Sequence, residues 1–120
     1  MEVSNYQKLV VWQKAMELTV GIFKLTEKLP QKEIYALSNQ MRRAAVSIPS
    51  NIAEGHGRHY PREFVRFLSI ARGSRAELET QLQICVRVGY LTNEDIIEMT
   101  NLINEIGKML SALIKRVAGS

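Results

Sequence analysis

The residues able to do chemistry in this chain are few. His56 and His59 form an H-x-x-H in the loop HGRHY. A zinc site needs three or four ligands in a defined geometry. The helical H-E-x-x-H is missing, and the neighbouring arginines repel a cation, so no metal is expected. Two solvent-facing histidines are expected, adding positive charge when protonated. Cys85 is the single cysteine. As a nucleophile it would need exposure and a nearby base. Both histidines sit at the other end of the same predicted helix, about 40 Å away at about 1.5 Å per residue. A small buried hydrophobe is the expectation. Glu77 and Glu79 lie two apart and point in different directions on a helix, so they do not make a carboxylate pair within one subunit. Glu77 is placed to pair with Arg43 across two helices, either as a structural ion pair or as a ligand contact. There is no glycine-rich phosphate loop and no nucleophile–base pair. Neither an enzyme nor a cofactor is expected.

Binding chemistry is better represented. Gln40, Arg43, Ser47, Asn51 and Glu54 recur at helical spacing beside the apolar row Met41, Ala44, Ala45, Ile48 and Ile52. At 3.6 residues per turn these rows occupy neighbouring faces. The polar row has three readings: a subunit interface, an internal network bridging to Ser74 and Glu77, or the lining of a nucleic-acid path. Such a path would use Arg42, Arg58, Arg62 and Arg66, because phosphate contacts need only basic groups at suitable spacing. The four-residue steps from Arg58 through Arg62 to Arg66 place those side chains on one side. The competing reading of that ridge is a solvated face with local ion pairs. Tyr6 and Trp12 are able to stack on bases, although packing in the bundle or against a neighbouring subunit is the expectation for Trp12.

Four helical segments must position these groups. The first runs from about Leu9 to Leu29 on Trp12, Ala15, Thr19, Ile22, Thr26 and Leu29, with Leu18 and Phe23 broadening the stripe, and Pro30 ends it. The second runs from about Ile34 to Glu54. Pro49 falls inside its period, removes one donor and crowds the carbonyl of Ala45, so a kink or short break is expected, with Ser47 or Ser50 serving the freed backbone groups. Gly55 and Gly57 read as stop signals. The third opens at Pro61, carries a narrow waist at Gly73, Ser74 and Ala76, and ends at Gly89. The fourth starts at Thr92-Asn93-Glu94-Asp95, a cap residue with an acid three places on. It closes on Lys115 and Arg116, with Ala118-Gly119-Ser120 expected to fray.

At 120 residues the chain suits one domain, ordered from about residue 6 to 117. The 46% hydrophobic and 23% charged composition is that of a soluble globular protein. No apolar run approaches the roughly 18–20 residues that span a bilayer. The start lacks a signal-peptide pattern, so a cytoplasmic location is expected. Net charge is +4 and pI about 9.4, a mild bias towards anionic partners. With no alternating strand pattern, the expected fold is an all-α, antiparallel up-down four-helix bundle whose second helix is kinked near Pro49.

The blocks KLVVWQKAMEL, LSNQMRRAAVSIPSNIAEGHGR, EFVRFLSIARGSRAELETQLQI and VGYL resemble the 23S rRNA intervening sequence protein family of small bacterial four-helix bundles. The resemblance spans about Tyr6 to Val117. It implies a ring-like homopentamer and distant kinship with accessory proteins of retroelements, and it brings no enzymatic activity. Together these readings lead to a non-enzymatic oligomer that binds RNA or another nucleic acid through basic helices. The alternative is a protein-interaction scaffold for a partner such as a polymerase or reverse transcriptase.

Overall fold

The structure is a computed structural model that describes residues 5–119. It consists of four α-helices: α1 (Val10–Thr26), α2 (Leu37–Gly57), α3 (Pro61–Arg87) and α4 (Asn93–Ala118). Short 3-10 turns occupy Asn5–Lys8 and Gln31–Glu33, and no strand occurs among the described residues. Ser120, the last residue of the tail expected to fray, lies outside the described residues.

The helices form a ring of neighbours, α1 against α2, α2 against α3, α3 against α4 and α4 against α1. Paired contacts fix their directions. Along α2 and α3, Met41 meets Cys85, Ser47 meets Ser74, and Gly55 faces Phe64 and Phe67. Along α1 and α4, Lys14 meets Glu105 and Lys28 meets Asp95. Thr26 meets Arg42 and Thr19 meets Ala45 across α1 and α2, while Arg72 meets Ser111 across α3 and α4. As residue numbers rise on one helix they fall on the next, so neighbouring helices run in opposite directions. The apolar period fills the centre: Leu18, Ile22, Met41, Ile48, Ile52, Leu68, Leu78, Leu82, Ile103, Ile106 and Leu110 are almost fully buried. Phe23 and Ile84 do not join them and stay exposed at the rim.

Helix ends follow local chemistry. α1 stops at Thr26, three residues short of the expected Leu29. The N–H groups of Glu27, Lys28 and Leu29 then bond three residues back, as a helix end tightening into 3-10 geometry does. α2 starts at Leu37, later than expected, because Ala36 leaves the helical region at φ −123° and ψ −102°. Gly89 ends α3 as expected, at φ 89°, with Tyr90 N–H on the Cys85 carbonyl at 2.9 Å and Gly89 N–H on the Val86 carbonyl at 3.1 Å. That is a Schellman closure. Thr92 and Asp95 form the expected capping box, with Asp95 N–H donating to Thr92 Oγ1 at 3.1 Å and Thr92 N–H donating to Asp95 Oδ2 at 2.9 Å.

Of the kink or short break expected in α2 the break does not occur, and the expected backbone partners and one expected stop are corrected. The helix is continuous across Pro49, so no break occurs there. The carbonyl of Ala45, which loses its helical donor to the proline, faces Thr19 Oγ1 of α1 at 3.0 Å, and neither Ser47 nor Ser50 serves it. Gly55 also does not stop the helix, whose last residue is Gly57. Gly55 is buried within it, and a Cβ there would lie 2.7 Å from Phe67 Cβ and 3.0 Å from Phe64 Cδ1. The glycine is needed for α3 to approach. The left-handed residue after α2 is His59, at φ 63°.

Candidate nucleic-acid interface

The polar row of α2 meets α3 in a groove of about 360 Å³, lined by Gln40, Arg43 and Ser47 on one side and Ser74, Glu77 and Gln81 on the other, with Asn39 at its rim. Ser47 Oγ and Ser74 Oγ lie 2.8 Å apart, and Asn51 Nδ2 donates to the Ser47 carbonyl at 2.7 Å and to Ser47 Oγ at 2.9 Å. Of the readings open in the sequence, this part forms the network that bridges to Ser74. Its position in the middle of the seam fixes how α2 and α3 register. The waist is narrower than expected: Ser74 makes the close approach, while Gly73 faces open space. Glu77 and Arg43 share the groove without an ion pair between them, because both side chains turn to solvent. Glu54 lies apart and binds Arg58. Gln81 was not singled out beforehand; it is buried, and its Oε1 has no hydrogen-bond partner among the described residues.

The four arginines separate. Arg42 donates from Nε to Thr26 Oγ1 at 2.9 Å and covers the Phe23 ring at 5.1 Å, on the seam of α1 and α2. It does not belong with the other three. Arg58 and Arg66 converge on one ring, with their guanidinium carbons 5.2 and 4.5 Å from the centre of Phe67. Each also holds an acid on its own helical stretch, Arg58 with Glu54 at 3.1 Å and Arg66 with Glu63 at 3.4 Å. Local ion pairs are therefore present on this face. Arg62, between them in sequence, is exposed and has no ion pair among the described residues.

The antiparallel packing sorts charge along the bundle. Thr19, Ser47 and Ser74 mark one level on α1, α2 and α3, set by the Thr19–Ala45 and Ser47–Ser74 contacts, and α4 crosses it between Met99, which meets Gly21 of α1, and Gly107, which meets Arg75 of α3. Among the described residues, the side holding the loop between α2 and α3 carries nine basic residues (Lys8, Lys14, Arg58, Arg62, Arg66, Arg72, Lys108, Lys115 and Arg116) and four acids (Glu17, Glu54, Glu63 and Glu105, which pairs with Lys14), a net +5, with Arg75 at the dividing level. On the other side, from residues 20 to 44 and 76 to 98, six basic residues face seven acidic ones, a net −1. The chain's modest +4 conceals a polar molecule, 45 Å long. A difference of this size acts over about a Debye length into the solvent.

The fold also positions the remaining titratable and nucleophilic groups. Cys85 is fully buried with its Sγ 3.6 Å from Met41 Sδ, and burial, helped by the negative charge of Glu33, pushes its thiol up to about 11. Tyr90 donates its hydroxyl proton to Glu33 at 2.7 Å, which raises the phenol above its usual range. The backbone N–H of Thr92, and then Lys28, hold Asp95 down to about 2. His56 packs its ring against Phe64, and no group of three or more metal-ligating side chains occurs among the described residues. Trp12 is partly buried against the core with Tyr6 edge-on at 5.4 Å, so neither ring stands free.

The family profile described as 23S rRNA-intervening sequence protein matches residues 7–112. The chain belongs to this family. A solved relative is a protein of unknown function from the S23 ribosomal protein family of Bacteroides thetaiotaomicron. It is 32% identical, with a TM-score of 0.82, over 88% of this chain and 96% of that one. No curated protein matches. Of the arginines the sequence grouped in this intervening-sequence protein, Arg58 and Arg66 meet over Phe67. The sequence did not reveal that Lys115 and Arg116 stand at the same end, because they lie some fifty residues away. The signal available was their position in the last turn of the last helix, which an antiparallel bundle returns to the start of the third. No described helix is long and apolar enough to cross a membrane.

Proposed function

We propose that this intervening-sequence protein binds RNA by contacts to phosphates at the positive end of its bundle. The observation that carries the proposal is the segregation of charge, +5 at the end holding Arg58, Arg62, Arg66, Lys115 and Arg116 against −1 at the other among the described residues. Phosphate recognition needs neither a catalytic group nor a metal, and it tolerates basic side chains contributed by separate helices. The homopentamer implied by the resemblance belongs to the same proposal. It would gather several positive ends in one particle and raise avidity without new contacts, and light scattering gives the copy number.

Fluorescence anisotropy with an end-labelled RNA, at rising salt, tests this. Neutralising three phosphates predicts a slope of about −2 for log K against log[salt] on a single strand. Arg62→Ala and Lys115→Ala each reduce the slope by about 0.7, and Lys32→Ala at the opposite end leaves it unchanged. No binding at low salt, or binding insensitive to salt, overturns the proposal. A second reading rests on a different feature, the groove of about 690 Å³ between α1 and α4, where Met16 and Val20 are exposed beside Met99. It suits a protein partner such as a polymerase. Partners retained from nuclease-treated lysate, and lost on Val20→Glu, favour that reading.

A further inference from the structure

The positive end also contains a cavity. The rings of His56, His59, Tyr60 and Phe64, with Val117 from α4, line about 370 Å³ between the α2–α3 loop and the last turn of α4. This lies in the range of about 300–1,000 Å³ common to sites for small ligands. Four of its seven lining residues carry flat, unsaturated rings, and Arg58 and Arg62 flank it in the chain. Tyr60 is 70% exposed, a large apolar surface left in water with nothing in the core to gain from it.

The backbone holds these rings in place. His59 adopts φ 63°, a left-handed conformation unfavourable for a residue with a Cβ. Tyr60 is extended at φ −118° and ψ 126°, as the residue before a proline must be. Pro61 then fixes the first helical position of α3, and Phe64 N–H bonds the Tyr60 carbonyl at 2.9 Å. Strain kept at an exposed loop, where a glycine would relieve it, points to a constraint other than stability.

Resting on the reading that this end binds RNA, we propose that its ligand is single-stranded, with one unpaired base stacked against Tyr60 in this cavity. A duplex buries its base faces against one another and offers such a pocket nothing to stack on, whereas an unpaired base has both faces free. Aromatic rings beside arginines are the combination that captures single strands with little sequence preference, since every base presents a π face. The arginines hold the backbone while the ring takes the base.

The test compares a labelled single strand of about twelve nucleotides with its duplex at equal salt, for the full chain and for Tyr60→Ala and Tyr60→Phe. The single strand is expected to bind more tightly, although the duplex has the higher charge density. Tyr60→Ala is expected to weaken single-strand binding by about fivefold or more while leaving the salt slope unchanged, since no phosphate contact is lost. Tyr60→Phe keeps the ring and the affinity. The exposed position leaves folding intact, checked by helical circular dichroism. Equal or tighter duplex binding, or unchanged binding by Tyr60→Ala, overturns this inference and leaves the positive end as a phosphate site. Absence of binding to either RNA at low salt overturns both.

Discussion

The contact between Thr19 and the carbonyl of Ala45 explains how a helix carries a buried proline through its middle. Pro49 has no N–H, so the Ala45 carbonyl four residues back lacks its helical donor, in a residue with no exposed surface. Thr19 Oγ1 lies 3.0 Å from that oxygen and 2.8 Å from the carbonyl of Ala15, with one proton to share between them. Replacing Thr19 by Val keeps the branched shape and removes the donor. A buried acceptor left without a partner costs about 1–3 kcal/mol. Thr19 is half-buried, which puts the expected loss near the lower limit, about 1 kcal/mol. In a Pro49→Ala background the new N–H serves Ala45, and the same Thr19→Val change becomes nearly neutral. Pro49→Ala alone has opposing terms: up to about 3 kcal/mol of helix propensity gained, against about 0.8 kcal/mol for each buried methylene lost and up to about 1 kcal/mol of chain entropy restored to the unfolded state. Its own effect is therefore a poor guide, and the double-mutant cycle is needed. Urea unfolding of the four proteins at one protein concentration measures it, with an expected coupling of about 1 kcal/mol. If Thr19→Val costs the same in both backgrounds, within about 0.5 kcal/mol, the proton resides on Ala15 and Thr19 does not compensate for the proline.

Three other outcomes follow from the packing and the titrating groups. Gly55→Ala forces a Cβ to within 2.7 Å of Phe67 Cβ. Overpacking of about 1–3 kcal/mol, offset by about 1 kcal/mol of helix propensity, predicts a net loss of about 1 kcal/mol by urea unfolding, whereas Gly57→Ala, with open space around it, should stabilise. Asp95 is held down to about 2, so its contribution to stability is complete above its ordinary value of 3.8 and is lost as pH falls towards 2. Asp95→Asn should be less stable than the parent at pH 7, and the difference should close by pH 2 in thermal melts. Cys85, pushed up to about 11 from 9.0 by burial, stabilises the fold below pH 9 and ceases to as pH rises through 11. At pH 8 a thiol reagent should label it only after denaturant is added.

The parts of this molecule legible in its sequence are those decided within one helix. The stripe that buries Ile22, Met41, Leu82 and Leu110 is a matter of period, and the capping box at Thr92 and the turn at Gly89 are matters of neighbouring residues. The parts that were not legible depend on the distance between helices. Arg43 and Glu77 occupy facing positions, yet whether two long side chains meet across a groove depends on how far apart the helix axes lie and how much water lies between. Arg42 and Arg43 are adjacent in sequence, about 100° apart on the helix, and so enter different seams. Gly55 looked like a stop because glycine often ends helices, but a glycine also marks the place where another element must come close. Only the position of Phe67 tells the two apart.

The arrangement around Phe67 bears on how the positive end can be strong when its arginines already have partners. Glu54 accepts from Nε of Arg58, leaving the two terminal nitrogens of that guanidinium for a phosphate. Glu63 takes Nε and one terminal nitrogen of Arg66 at 3.4 and 3.5 Å, contacts long enough to be weak. Exposed pairs of this kind are worth about 0.3–0.5 kcal/mol, so a phosphate displaces them at little cost. What the acids and the ring provide is orientation. A guanidinium resting on Phe67 has lost much of its rotamer freedom before a ligand arrives, and that entropy need not be lost again on binding. The carboxylates reduce the local charge, but the field at the end of the bundle is set by nine basic residues against four acidic ones among the described residues, and the local pairs do not reverse its sign. In the function proposed above, pre-set arginines inside a net positive end would favour a ligand whose negative charges are regularly spaced, as along a nucleic-acid backbone, over a single small anion that one carboxylate can already mimic.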